Sequence, residues 1–391
     1  DTRELLERLS TSRREFKATA FAELDRNLSD EEREEWNAIY ASFSSRSLLR
    51  NTVIGLETIP FPTDENMEQA LTCMVVMRHL VKVLIPLPLF WTASGVELET
   101  NARMLAFVLD ASFTTREPWV RVEVDGATVL RQPLGHGQNT LTVWRDMTSG
   151  SWRRVRLYKE TQPMQRDPSS LLTLATIICE GELRAIPPRP YKIEVIGDSI
   201  SSGEGLAGAV STKEGVSMVF STENHYALQT ARALAADLRI LSQSGWGLLA
   251  GWDNDRAKTL PPYYEMVCGL VPGLQAAALG AAQPNDFAAW QPDIVLVHLG
   301  YNDGFALDEP PFQDGFCLRR GPDGLPDTET AERFVQCGVA FLKKLRRCNP
   351  GARLVWAYGM FGQVMQPYIM EAIRRYTGES GDTVQYVPLP P

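Results

Sequence analysis

Three patterns of apolar and polar positions follow one another along the chain. Over residues 1–85 apolar side chains recur at helical spacing, and Ser29 followed by Glu32 matches a capping box at a helix start. The last helix that this pattern predicts covers residues 65–83. We therefore expect an N-terminal helical segment, and the pattern leaves open whether it covers the next domain or pairs two chains.

Between residues 86 and 188 the pattern changes to that of short strands. Runs rich in β-branched and aromatic residues are separated by turns, and Asp125-Gly126 between two such runs is a strong hairpin signal. Five or more strands without helices between them are typical of a β-sandwich, here expected to be jelly-roll-like. The segment IPPRP, residues 186–190, is the predicted linker out of this domain.

Predicted strands and helices alternate from residue 189 to residue 391. The run QPDIVLVHLGYND is continuous and apolar, as buried parallel strands are. Residues 330–347 place apolar side chains on one helical stripe, Phe334 and Phe341 among them. This alternation predicts a three-layer α/β domain with a parallel sheet and helices on both faces.

Composition and charge narrow the possible function classes. The chain has 391 residues, 44% hydrophobic and 22% charged, which suffices for packed cores in two or three domains. The net charge of −9 disfavours a nucleic-acid partner. The most apolar stretch, residues 70–90, contains charged residues and two prolines, which predicts a buried helix and a turn rather than a membrane span.

The cysteines and the first residues of the chain indicate neither a metal site nor a cellular location. The six cysteines form no CxxC pair, so neither a zinc knuckle nor a thioredoxin-like motif is expected, and buried thiols are predicted. No signal peptide is recognisable, and cytoplasmic and secreted locations both stay open. The oligomeric state stays open as well.

The stretch IEVIGDSISSGEGLAG, residues 193–208, joins the end of a strand to a serine and a glycine-rich loop. As a phosphate-binding loop it offers GxGxxG at residues 203–208, but the strand ends near Ile196 and no helix start follows. As a catalytic loop it places Ser199 at the carboxyl end of a parallel strand, where α/β sheets bind their ligands. Because the strand ends just before Ser199 and not before the glycines, the sequence favours a nucleophilic serine over a phosphate-binding loop.

Two further predicted strand ends offer what a nucleophilic serine needs. The next strand ends at Ser244-Gly245, and a glycine there lets a backbone N–H approach a developing oxyanion closely. The third ends at Gly300-Tyr301-Asn302, whose side-chain amide is a neutral donor, although an Asx-turn is the alternative role of such an asparagine. Three successive strand ends thus carry Ser, Gly and Asn.

The motifs Gly197-Asp198-Ser199, Gly245 and Gly300-x-Asn302-Asp303 resemble, in order and spacing, those of the SGNH (GDSL-type) hydrolase superfamily. The β-rich region before them resembles the small β-sandwich that precedes the hydrolase domain in carbohydrate esterase family 2. The resemblance implies a flavodoxin-like hydrolase domain over residues 189–391. It also implies a serine esterase that removes acetyl groups from a carbohydrate through a covalent acyl-serine intermediate, with no metal or cofactor.

The same resemblance assigns roles to particular residues. Ser199 is the expected nucleophile, and the backbone N–H groups of Ser199 and Gly245 together with the Asn302 side chain are the expected oxyanion hole. Asp198 and Asp303 are expected to hold turns rather than to take part in the chemistry.

The catalytic base is where the sequence departs from the superfamily's pattern. The resemblance implies a histidine after the last strand, and no histidine follows His298. We expect this base beyond Pro391, with His225 as a fallback, although its place at a helix start favours a helix cap. Without a base the same fold would be a glycan-binding protein, and another acyl specificity would make it a thioesterase or a lipase-like hydrolase.

Aromatic residues follow the second motif in a predicted rim loop. Trp246, Trp252 and Tyr264 have faces that suit a sugar ring, and filling the interface between the two domains is the equally weighted alternative. We therefore predict an acetylated carbohydrate as the partner, and neither nucleic acid nor a membrane.

Overall fold

The computed structural model describes residues 81–148, 150–209, 216–312 and 315–390. The predicted N-terminal helices lie outside these residues, except for the end of the helix predicted over 65–83. There the structure has strand β1, Val81–Pro88, so the helical prediction is wrong at residues 81–85. Pro86 and Pro88 lie in this strand rather than in the predicted turn, and the antiparallel region begins before the predicted boundary at residue 86. An apolar run of this length suits a buried strand as well as a helix, and antiparallel pairing with residues 173–178 decides for the strand.

Nine strands form two antiparallel sheets in the described residues before 185. They are β1, β2 (Gly95–Thr100), β3 (Leu105–Ser112), β4 (Trp119–Val124), β5 (Ala127–Pro133), β6 (Gly137–Trp144), β7 (Arg153–Lys159), β8 (Leu171–Cys179) and β9 (Leu183–Arg184). One sheet has the order β1-β8-β3-β6 and the other β5-β4-β7-β2-β9. The β4–β5 hairpin turns at Asp125 and Gly126, as predicted, and both have a positive φ.

The two antiparallel sheets share one apolar core. Phe107 and Leu109 from β3 are buried in the same cluster as Val122 from β4 and Leu157 from β7. Because successive side chains of a strand point to opposite faces, each sheet contributes one apolar face to this core.

A five-stranded parallel sheet follows, in the order β11-β10-β12-β13-β14. Its strands are β10 (Tyr191–Gly197), β11 (Ala236–Ser242), β12 (Ile294–His298), β13 (Arg353–Tyr358) and β14 (Val384–Pro388). The α-helices in this part of the described chain are α1 (Ser199–Ser202), α2 (Tyr226–Ala233), α3 (Leu274–Ala278), α4 (Tyr301–Ala306), α5 (Thr328–Cys348) and α6 (Gln366–Ser380). Every pair of neighbouring strands in this sheet is parallel, as predicted.

Helices cover both faces of the parallel sheet. Val195 of β10 packs in one core with Ala227 of α2, whereas the next residue, Ile196, belongs to a second core that includes Phe334 of α5 and Ile369 of α6. The sheet is therefore the middle layer of three, and its carboxyl-terminal edge is left open for loops.

Helix α5 shows how the sequence builds this layer. The Asp327 side chain caps its first turn by accepting a hydrogen bond from the Thr330 backbone N–H at 2.8 Å. Phe334, Phe341 and Leu345 are fully buried on the predicted stripe. Elsewhere, Cys268 and Cys317 are buried, as predicted for thiols of this chain.

The antiparallel sheets meet the α/β part through buried polar groups. Glu160, which directly follows β7, accepts a hydrogen bond from the Thr222 backbone N–H at 2.9 Å. The same carboxylate pairs with Arg131 at 2.8 Å, and Arg131 donates onward to the carbonyl of Phe220. This interface places the segment after β7 beside the carboxyl-terminal edge of the parallel sheet. Among the described residues, no helix has the length and apolarity needed to cross a membrane.

Candidate active site

Ser199 stands where β10 turns into a short helix. Asp198 caps helix α1 through its Oδ1, which accepts from the Ile200 N–H at 3.1 Å. Gly203 follows the helix as its C-cap with a φ of 73°, and a Cβ there would lie 2.2 Å from the Ser221 carbonyl oxygen. The glycines of this loop therefore close a turn after the serine rather than open a helix, which is the geometry of the catalytic interpretation and not of a phosphate-binding loop.

The second strand end presents Gly245 beside Ser199. Gly245 has φ of 77°, and a Cβ at this position would lie 2.8 Å from the Trp252 ring. The preceding Ser244 is held by Gln162, whose Oε1 accepts from the Ser244 backbone N–H at 2.7 Å and from its hydroxyl at 2.9 Å. A buried side chain from the antiparallel sheets thus fixes the turn that carries Gly245.

The third strand end brings in Asn302. This residue is buried in α4, and its Nδ2 donates to the Trp246 carbonyl at 2.8 Å. Asp303 accepts backbone N–H groups of residues 248–250 at 2.6–3.0 Å, which ties the third strand end to the loop after the second. Burial raises the pKa of Asp303 to about 6, and the backbone donors oppose this effect.

Ser199, Gly245 and Asn302 line one cavity of about 340 Å³. In the described part of the chain, the backbone N–H groups of Ser199 and Gly245 donate to no protein atom. An asparagine Nδ2 has two hydrogens, and one of those on Asn302 remains after its bond to Trp246. The residues that line the cavity therefore include a serine hydroxyl and three N–H donors without a protein acceptor, which are the groups that acyl transfer to serine requires.

No protein-family model matches the chain, but solved structures and curated sequences are similar to it. The structure resembles that of an acetyl xylan esterase, Est2A, from the rumen bacterium Butyrivibrio proteoclasticus, with 38% identity and a TM-score of 0.76 over 80% of this chain and 87% of that one. The chain belongs to carbohydrate esterase family 2. A family two carbohydrate esterase from Cellvibrio japonicus, 19% identical, shares the fold with a TM-score of 0.63 over 80% of this chain and 84% of that one.

Curated sequences include a further relative of this family 2 chain. The acetylxylan esterase / glucomannan deacetylase of Cellvibrio japonicus is 25% identical over 269 residues, which are 68% of this chain and 65% of the relative. The family 2 chain spans 65% and 32% of the lengths of two curated relatives that it matches.

The structure places neither of the two interior histidines of the family 2 chain in the cavity. His225 is buried as the N-cap of α2: its Nδ1 accepts from the Ala227 N–H, and its Nε2 lies 3.0 Å from the Ser201 carbonyl. His298 is buried beneath the site, with its Nδ1 3.2 Å from the Tyr226 hydroxyl. Burial lowers the pKa of each imidazole to about 4, so both rings are neutral near pH 7.

These positions test the predictions for the histidines. The prediction of a helix cap at His225 is confirmed, and His298 is a buried residue of the interior. The use of His225 as a fallback base is disfavoured, because its two ring nitrogens are already engaged and it does not line the cavity.

The three aromatic residues predicted to bind a sugar differ in their exposure. Trp252 lines the cavity with 42% of its surface exposed. Trp246 is 4% exposed and packs its ring against Tyr263, so only its carbonyl reaches the site, through Asn302. Tyr264 is 2% exposed and donates its hydroxyl to Glu194 at 2.5 Å. The rim prediction is therefore wrong for Trp246 and Tyr264, because the loop after β11 folds back and adds their rings to the core.

The sequence analysis missed the cavity residues that come from the antiparallel sheets. Gln162 and Arg116 lie in loops of that region, and Arg166 follows Gln162 closely, yet all three line the cavity with Ser199. No motif marks them, since the contact between the two parts of the chain joins residues about 80 positions apart. The only signal available in the sequence was that these polar residues lie in loops of the predicted β-sandwich, where they could contact the hydrolase domain.

Proposed function

We propose that this chain removes acetyl groups from a carbohydrate, with Ser199 as the nucleophile. The observation that carries the proposal is the shared cavity of Ser199, Gly245 and Asn302, with its available N–H donors. The names of the relatives, acetyl xylan esterase and acetylxylan esterase / glucomannan deacetylase, support an acetylated plant glycan as the substrate class.

The proposed reaction has two acyl transfers. The Ser199 Oγ attacks the acetyl carbonyl carbon, its proton passes to the base, and the negative charge that develops on the carbonyl oxygen is stabilised by the Ser199 and Gly245 N–H groups and by Asn302. The C–O bond to the sugar then breaks, and the sugar oxygen leaves as a hydroxyl with the proton from the base. Water attacks the acetyl-serine in the same way and releases acetate.

The proposed base is the histidine that the family resemblance implies after the last strand. Strands β10 and β14 are parallel members of one sheet, so a residue that follows β14 leaves the sheet at the edge where Ser199 stands. Three strand spacings separate these two strands, or about 14 Å, a distance that a loop and a side chain can span.

We further propose that the domain boundaries follow the two kinds of sheet. The antiparallel sheets, which begin with β1 at Val81, would form the jelly-roll-like β-sandwich domain predicted over residues 86–188, and residues 189–391 would form the flavodoxin-like hydrolase domain. The shared core of the two antiparallel sheets supports the first unit, and the three layers around the parallel sheet support the second.

Acetate release tests the proposal. We expect the protein to release acetate from an aryl acetate and from acetylated xylan or glucomannan, and Ser199→Ala to lower the rate by about 10⁴-fold or more. Mass spectrometry of the protein quenched during turnover of the aryl acetate should show an added acetyl group on the parent and none on the variant.

Other outcomes would assign another function. Equal rates of the parent and Ser199→Ala would exclude Ser199 as the nucleophile. Binding of acetylated xylan without turnover by the parent would indicate a glycan-binding protein, and faster release of long acyl chains than of acetate would indicate a lipase-like or thioesterase activity.

A further inference from the structure

The cavity has a cationic side, formed by two arginines from the antiparallel sheets. Arg116 lies in the loop between β3 and β4, and Arg166 lies in the loop between β7 and β8. Arg116 is half-buried and Arg166 is exposed, and neither guanidinium makes an ion pair with a described residue. We call these two residues the arginine edge.

One buried carboxylate holds both loops in place. Asp167, 3% exposed, uses Oδ2 to accept the backbone N–H groups of Thr114, Thr115 and Arg116 at 2.9, 2.6 and 2.8 Å. Because Asp167 directly follows Arg166, these bonds fix the backbone of both arginines relative to each other. The backbone of the arginine edge is thus fixed by hydrogen bonds between the two loops, although neither guanidinium has an ion-pair or hydrogen-bond partner among the described residues.

The other charged residues of the cavity do not cancel the arginine edge. Lys258 lines the cavity but pairs with Asp253 and with Asp255, the latter at 3.6 Å. Glu204 is the one carboxylate among the described cavity residues, facing two arginines that lack a protein anion. Three cationic side chains and one carboxylate therefore line the cavity, in a chain whose net charge is −9. Because Lys258 is paired with aspartates, the two cationic groups left for a ligand are those of the arginine edge.

We propose that the arginine edge binds a carboxylate of the substrate, so that the preferred substrate is an acetylated glycan with a uronic acid near the acetyl group. This inference rests on the proposed function of Ser199 and adds a substrate class to it. A planar guanidinium matches a carboxylate with two parallel N–H donors, which a neutral sugar cannot use equally well.

A matched pair of substrates tests this proposal. One is an acetylated xylo-oligosaccharide that carries a glucuronic acid, and the other is the same compound with its carboxyl group reduced to an alcohol. We expect the protein to have a kcat/KM about 10-fold higher on the acid than on the alcohol, and this preference to shrink at high salt. Equal values on the two substrates at low salt would overturn the proposal.

Charge-removing variants locate the preference. Arg116→Gln and Arg166→Gln should each lower the acid-to-alcohol ratio by about 3-fold or more, whereas the control Arg145→Gln should keep both the ratio and the activity, because Arg145 is an exposed arginine outside the cavity. A preference that survives the double variant Arg116→Gln, Arg166→Gln would contradict the assignment to the arginine edge. Thermal unfolding of each variant checks that it folds.

The experiments on the arginine edge can fail independently of the test of Ser199 as the nucleophile. Hydrolysis of the aryl acetate, which has no carboxylate, reports on the proposed function alone, and the acid-to-alcohol ratio reports on the arginine edge alone. Free glucuronate should inhibit hydrolysis of the acid substrate more strongly than inorganic phosphate at equal ionic strength. The reverse order would assign the arginine edge to phosphate groups and overturn the carboxylate proposal.

Discussion

At the scale of single residues, Asp198 shows how the site tolerates a buried carboxyl group next to the proposed nucleophile. One oxygen of Asp198 caps α1, and the other, Oδ2, has no hydrogen-bond partner among the described residues. Burial raises the pKa of Asp198 to about 7, and its hydrogen bond from Ile200 only partly opposes this. The cap thus holds Ser199 in place although the ionised form of the carboxyl group is poorly solvated.

The raised pKa of Asp198 makes the free energy of unfolding depend on pH. The folded protein keeps the Asp198 proton up to about pH 7, whereas the unfolded chain loses it near pH 4. Between these pH values the folded state therefore binds more protons than the unfolded state. The contribution of Asp198 to the free energy of unfolding consequently falls as the pH rises from about 4 to 7. We expect Asp198→Asn, which keeps an oxygen acceptor for Ile200, to gain stability relative to the parent from about pH 4 to 7, by on the order of 1–3 kcal/mol. Urea unfolding at a series of pH values measures the difference, and a constant difference across that range would contradict the prediction.

At the scale of elements, the loop after α1 depends on a glycine for two separate reasons. Gly203 has φ of 73°, which L-residues rarely adopt, and a Cβ there would also clash with the Ser221 carbonyl oxygen. Gly205 has a similar φ of 85°, but nothing lies within 4 Å of its Cβ position. The two glycines therefore separate the cost of the backbone conformation from the cost of the close approach.

Alanine at each position gives a matched pair of variants. Gly205→Ala should lower the free energy of unfolding by about 1 kcal/mol, the cost of a left-handed residue. Gly203→Ala should cost about 1–3 kcal/mol more and should also lower kcat on the aryl acetate, because the shift needed to relieve the clash moves α1 and Ser199. Denaturant unfolding and steady-state kinetics measure both effects, and equal costs at the two positions would show that the clash is relieved without moving the turn.

At the scale of the whole molecule, the site is completed across the contact between the two kinds of sheet. Gln162 holds the turn of Gly245, and its own backbone is held by Lys159, whose Nζ donates to the carbonyls of Phe90, Thr161 and Gln162 at 2.8–2.9 Å. Burial lowers the pKa of Lys159 to about 7. The antiparallel sheets are therefore part of the scaffold that holds the candidate active site.

Truncation of Gln162 tests this dependence. Gln162→Ala should lower kcat on the aryl acetate by about 10-fold with a smaller change in KM, because the Ser244 N–H loses its acceptor and the oxyanion donor of Gly245 loses its support. Ser244→Ala is the control: it removes the hydroxyl bond but keeps the backbone bond, so its kcat should stay within about 3-fold of the parent. Equal losses in the two variants would mean that Gln162 does not act through the Ser244 backbone.

The sequence by itself determined the five parallel strands, the three longer helices α2, α5 and α6, and the three strand ends that carry Ser199, Gly245 and Asn302, whereas the short helices α1, α3 and α4 were not predicted. These features are local, since strand length, helix stripes and turn glycines each depend on residues a few positions apart. Only the tertiary structure decided that Trp246 and Tyr264 are buried and that Gln162, Arg116 and Arg166 face the cavity. Those outcomes depend on how a loop folds back and on which loops of the antiparallel sheets meet the parallel sheet, and a periodic pattern carries no information about contacts between segments so far apart in the chain.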